Sequence, residues 1–151
     1  MLAGAGLRFA VRPAAVDEAA MKQTARAEGV DAVTAALRLA DAKAAWVGRD
    51  SPDALVIGAD QILECDGTWY DKPPDLAAAR RQLLALRGRT HTLATAVACH
   101  RAGQAVWQYV ALPRLSMRAF SDAFLDAYLA ADGAQVLSSV GAYRLEGPGV
   151  Q

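Results

Sequence analysis

Asp60 and Gln61 stand side by side in Ile57-Gly58-Ala59-Asp60-Gln61-Ile62-Leu63, an acid and an amide set into the most apolar part of the chain. The preceding run Ala54-Leu55-Val56-Ile57 predicts a strand buried on both faces, ending at Gly58. That places Asp60 just past a carboxyl end, where open α/β sheets gather ligand-binding groups. A plain turn cap fits the same pattern equally well, and Gln61 fits either a ligand contact or a strand start facing water. Lys43 borders the apolar stripe of a predicted helix, so its stem can lie on the core and deliver the ammonium to a cleft; a lysine with no partner fits that spacing too. Lys72 lies in Asp71-Lys72-Pro73-Pro74, a loop whose prolines restrict the backbone. Asp17-Glu18 offers two carboxylates, suited to a hard cation that completes its shell with substrate phosphates or, as acidic pairs usually are, to solvated surface. Arg89-Thr90-His91 offers donors for an anion, or simply begins a surface strand. His91 and His100 lack helical metal-ligand spacing, and the chain has no Walker loop, no GxSxG and no GxGxxG run.

These groups need elements to position them. Val33, Leu37, Ala40, Ala44 and Val47 recur at steps of three and four, which predicts an amphipathic helix from Asp31, its N-cap, to about Val47. Asp75 caps a second helix through Leu86, with Gly88 as its stop, and Ser121 opens a third. Gln61 to Cys65, Asp66-Gly67 and Thr68 to Tyr70 read as strand, tight turn and strand. Further strand-rich stretches run from Thr90 to Cys99 and from Ala105 to Met117, parted by the turn-prone Arg101-Ala102-Gly103. Arg8 to Arg12, Arg-Phe-Ala-Val-Arg, alternates like a short strand ended by Pro13, and Asp17-Glu18 follows in a loop. Met1-Leu2-Ala3-Gly4 reads as though already inside a helix. This mixture of helices and strands predicts one α/β domain.

The 151 residues, 54% of them hydrophobic, suffice for one core and are too few for two. Sixteen basic residues balance sixteen acidic ones, so no net field recruits nucleic acid or an anionic membrane. No apolar run approaches the ~20 residues of a membrane span. Cys65 and Cys99 lack metal or redox spacing and read as reduced thiols, which predicts a cytoplasmic protein. The first sixteen residues carry two arginines and no acid, but their short apolar runs argue against a targeting peptide.

Six short motifs carry a resemblance in a fixed order. They are Val16-Asp17-Glu18, Leu37 to Ala44, Ile57 to Ile62, Asp71-Lys72-Pro73, Arg87 to His91, and Val140 to Gly149. Together they resemble the Maf family of nucleoside triphosphate pyrophosphatases, earlier described through effects on septum formation. The resemblance implies a Maf/ITPase-like α/β fold, a mixed sheet flanked by helices, with a cleft for a nucleotide. It implies hydrolysis between the α and β phosphates, assisted by a divalent cation, magnesium or manganese. Carried over by motif, Asp60 matches the proton acceptor and a metal ligand, Glu18 the other metal-site acid, and Lys43 and Lys72 the phosphate-cleft lysines. Gln61 and Glu146 resemble the branch associated with 7-methyl-GTP, the dTTP and UTP branch having Thr and Gln there. A nucleoside triphosphate is then the partner expected, with no nucleic acid or membrane, and a homodimer is compatible with the family. The family's opening Ser-x-Ser-x-x-Arg loop after a first strand, and the strand and helix expected after Gly149, find no match in residues 1–151. That departure raises a competing expectation, a catalytically disabled nucleotide-binding or regulatory protein.

Overall fold

The computed structural model describes residues 2–144 and Gly147. Its first helix, α1 (Glu18–Ala27), begins where the Asp17 carboxylate accepts the Ala20 amide at 2.9 Å. The second, α2 (Ala32–Gly48), begins in the same way, with Asp31 accepting from Thr34 at 2.7 Å. That hydrogen bond holds the Asp31 carboxyl below its ordinary value. Strands β1 (Val56–Cys65) and β2 (Thr68–Tyr70) follow, then α3 (Leu76–Leu86). Strands β3 (Thr90–Arg101), β4 (Gln104–Ala111) and β5 (Arg114–Ser116) come next, and α4 (Asp122–Asp132) leads into 3-10 turns at Gly133–Ser138 and Val140–Ala142. Asp75 and Ser121 cap α3 and α4 through their side chains, as their types require.

The strands form one five-stranded sheet in the order β2-β1-β3-β4, with β5 pairing the start of β3. Every described pairing is antiparallel, where a mixed sheet was expected. Two tight hairpins account for part of this: Asp66 and Gly67, then Ala102 and Gly103, all take positive φ and turn the chain straight back. Helix α2 covers one face, packing Ala36, Leu39 and Ala40 onto Ile62, Ala94, Ala96 and Ala98. Small side chains on both sides let the layers approach closely. At Gly58 a Cβ would stand 2.1 Å from the Ala40 carbonyl oxygen and 2.7 Å from the Ala44 amide nitrogen. Backbone cannot yield as a flexible side chain can, so Gly58→Ala is expected to cost about 3 kcal/mol or more. For a domain of this size that is a fall in Tm of roughly 10 °C, measurable by calorimetry. A second core joins α3, α4 and the 3-10 turns through Leu83, Leu125, Tyr128 and Val136, and Leu63, Leu86 and Leu93 form a third cluster between sheet and helix.

Several sequence expectations are corrected here. The two strands expected on either side of Gly58 are one continuous strand, so this glycine marks a close approach rather than an end. Asp60 therefore sits within β1, not beyond it. Asp17-Glu18 starts a helix instead of lying in a loop. Arg8 to Arg12 is irregular, with Phe9 and Val11 exposed, because alternation makes a strand only where a neighbouring edge accepts its hydrogen bonds. Ala3–Ala5 is one 3-10 turn closed at Gly6, not a continuing α-helix. The stretch Ala105 to Met117 divides at Leu112-Pro113, since proline cannot donate to a ladder. Cys65 and Cys99 are free thiols, as expected. Among the described residues no helix is long and apolar enough to cross a membrane.

Candidate functional site

Helix α1 presents Glu18, Lys22 and Arg26 at steps of four residues, which aligns them along one face. Met21 and Ala25 anchor the other side against α2. The polar stripe forms one wall of a cleft of about 760 Å³, whose lining also includes Lys43, Ala59, Asp60, Gln61, Lys72, Thr95 and Ser138 to Val140. Strand β2 pairs only with Leu63 to Cys65 of β1. Among the described residues, β1 therefore has an unpaired edge from Val56 to Ile62 on the side away from β3. A cleft running past a strand edge meets side chains from both faces. This is how consecutive residues, Asp60 and Gln61, border one space.

The close approach at Gly58 sets the register of α2 on β1 and brings Lys43 over Asp60. The Lys43 ammonium donates to Asp60 Oδ1 at 2.6 Å and lies 2.9 Å from Glu18 Oε1. Burial pulls the Lys43 pKa down, but the hydrogen bonds and charges of Asp60 and Glu18 outweigh it and hold the value above that of an ordinary lysine. The Asp60 side chain is only 7% exposed. Its second oxygen, Oδ2, is buried and has no hydrogen-bond partner among the described residues. A lone buried carboxylate oxygen is costly unless a ligand, water or ion completes it. Gln61 donates from Nε2 to Thr95 Oγ1 at 2.7 Å, which fixes its amide at the cleft rim.

The structure thus brings together five residues singled out in the sequence: Glu18, Lys43, Asp60, Gln61 and Lys72. Glu146 lies outside the described residues. Arg89 faces away, pairing with Asp66 at 3.2 Å across the first hairpin. His91 is buried, with Nε2 2.7 Å from the Tyr143 hydroxyl; burial lowers the His91 pKa and pushes Tyr143 up to about 12. The pair tethers the turn Val140–Ala142, whose first residue borders the cleft. His100 is buried against Asp41 at 2.7 Å. Lys22, Arg26, Thr95, Ser138 and Ser139 also line the cleft and were not singled out. An available signal was the Asp17 cap with Met21 and Ala25 four apart, which marks α1 and aligns Glu18 with Lys22 and Arg26.

Among the described residues no group of three or more acid, histidine or cysteine side chains converges as a complete metal cage. Glu18 and Asp60 suit a different arrangement. Magnesium is commonly held by one or two carboxylates, with water and substrate phosphates filling the other positions. The unpartnered Asp60 Oδ2 is a hard oxygen donor of the right kind, so the residues fit such an ion. A buried carboxylate, a charged lysine and further cations around one open cleft can orient water and offset charge on a polyanion.

Comparison with known proteins gives a consistent picture. The Maf-like protein family matches residues 1–151. The chain is 52% identical to a protein of Granulibacter bethesdensis named nucleoside triphosphate pyrophosphatase, covering all of this chain and 77% of that protein. It is 49% identical to a protein of the same name from Gluconobacter oxydans, again covering all of this chain and 75% of the relative. It is 44% identical to a 7-methyl-GTP pyrophosphatase of Rhizobium meliloti, with all of this chain and 76% of that protein aligned.

Proposed function

The chain belongs to the Maf-like family, and on that premise we propose that it hydrolyses a nucleoside triphosphate to the monophosphate and pyrophosphate. The observation that carries the reading is the arrangement at Asp60, a residue of the cleft lining: one oxygen held by Lys43, the other buried and unpartnered among the described residues. In that role Asp60 Oδ2 accepts a hydrogen bond from the attacking water and takes its proton as the water attacks the α phosphorus. Lys43 fixes the carboxylate through Oδ1 and, with Lys72, offsets negative charge on the phosphates as the α–β anhydride bond breaks. Glu18 and Asp60 would hold a magnesium or manganese ion. Such an ion supplies Lewis-acid stabilisation of phosphate charge when bound.

The substrate we favour is 7-methyl-GTP. Gln61, fixed by Thr95, is the residue type that accompanies this preference in the resemblance, and Glu146 is the second. A carboxylate at Glu146 accepts hydrogen bonds from the N1 and N2 donors of a guanine edge and suits the positive charge that N7 methylation gives the base. The free thiols of Cys65 and Cys99 suit the reducing cytoplasm. Pyrophosphate release should be measured on 7-methyl-GTP, GTP, dTTP and UTP with magnesium or manganese. A kcat/KM for 7-methyl-GTP at least tenfold above the others is expected. Faster turnover of dTTP and UTP would overturn the substrate, and no turnover of any triphosphate would overturn the reaction.

A further inference from the structure

Lys22 and Arg26 are not used by the mechanism above, yet both face the cleft from α1. Among the described residues, the carboxylate each one pairs with is Asp71, at 2.7 Å from Lys22 Nζ and 3.2 Å from Arg26 Nη2. The Lys22 side chain is only 13% exposed, whereas that of Asp71 is 50% exposed. Lys22 is therefore seated in the wall, while Arg26, 45% exposed, and the counter-ion Asp71 stand at the opening. Arg26 is further fixed by its guanidinium lying 5.1 Å from the Trp69 ring centre. The backbone that carries Asp71 is held separately, its carbonyl accepting from Gln82 Nε2 at 2.8 Å. The Asp71 side chain can consequently turn outward without the loop coming undone.

We infer that Lys22 and Arg26 form a second phosphate subsite that receives the pyrophosphate portion of the substrate, with Asp71 as a built-in anion that occupies it until the substrate enters. The inference rests on the proposed reading of the cleft as a triphosphate site. One half-exposed carboxylate holds its partners weakly, and a phosphate chain carrying several charges on tetrahedral oxygens competes well for a lysine and an arginine presented side by side. Burial pushes the Asp71 carboxyl up, but Lys22 and Arg26 outweigh this and hold it below its ordinary value, so the placeholder stays ionised at neutral pH.

The test is calorimetric binding of inorganic pyrophosphate to the full chain in magnesium buffer, which needs no turnover. Lys22→Met is expected to weaken binding about tenfold or more, the usual effect of losing a charged hydrogen-bond donor. Asp71→Asn is expected to tighten it several-fold by removing the competitor. If Asp71 were only a strut between α1 and the loop, the same change would loosen the wall and weaken binding. Arg38→Gln, outside the cleft lining and paired with Glu28 at the end of α1, controls for net charge and should leave binding unchanged. Thermal melts establish that each variant is folded. Weaker binding by Asp71→Asn, or a Lys22→Met affinity equal to that of Arg38→Gln, would overturn the subsite. Failure to hydrolyse nucleotides, with the pyrophosphate pattern intact, would overturn the proposed reaction and leave the subsite supported.

Discussion

Asp60→Asn is expected to lower kcat for nucleotide hydrolysis by about a thousandfold, within the range that general-base catalysis contributes, with KM changed only a few-fold. The asparagine carbonyl oxygen can still accept from Lys43, so the 2.6 Å contact and the packing of α2 on β1 survive. What changes is the atom at the buried Oδ2 position, where an amide NH2 replaces a proton-accepting oxygen. The thermal midpoint should stay within a few degrees of wild type, which separates lost chemistry from lost fold. Steady-state kinetics with the purified variant checks this, and activity within tenfold of wild type would remove Asp60 from the proton-accepting role. Asp60→Glu makes a useful companion: it keeps the carboxylate but lengthens the arm in a position only 7% exposed, so it too should be strongly impaired.

How far this site could be read from residue order depends on how local each signal is. Asp31, Asp75 and Ser121 bond amides three residues away, so the starts of α2, α3 and α4 are written in short stretches and could be read directly. The Asp66-Gly67 hairpin is equally local. Gly58 is the opposite case. Its meaning lies in the Ala40 carbonyl and the Ala44 amide on another element, and no pattern around residue 58 reveals that. Read locally it looked like a strand end; in three dimensions it is the contact that seats Lys43 on Asp60. Helix α1 buries Ala25 alone and Met21 in part, so its apolar stripe is thin, and only the Asp17 cap beside that pair marks it. Without that helix, Glu18 reads as half of an acidic pair suited either to a hard cation or to solvated surface, and nothing aligns Lys22 and Arg26 with it. Lys43 and Lys72 were found as residue types in suggestive places, but their convergence on one cleft depends on sheet register, which pairs Asp60 with Ala96 and Gln61 with Thr95.

Lys43→Met should damage both activity and stability, because Lys43 is the single cation touching both Asp60 and Glu18 among the described residues. A loss of about a hundredfold or more in kcat is expected from removing a positive donor beside the reacting phosphates. The methionine fills the volume but leaves Asp60 buried with neither oxygen neutralised. Breaking a buried pair from one side costs several kcal/mol, so the stability deficit of Lys43→Met at pH 7 should be of that size. The wild type gives a complementary signature at high pH. The folded-state pKa of Lys43 is raised, so its stabilising contribution is fully present below the ordinary lysine value of 10.5 and is lost as pH rises through the folded value. Urea unfolding of both proteins at pH 7 and above 10 measures both effects. A Lys43→Met deficit under about 1 kcal/mol at pH 7 would show that the ion pair is not what holds Asp60 in place.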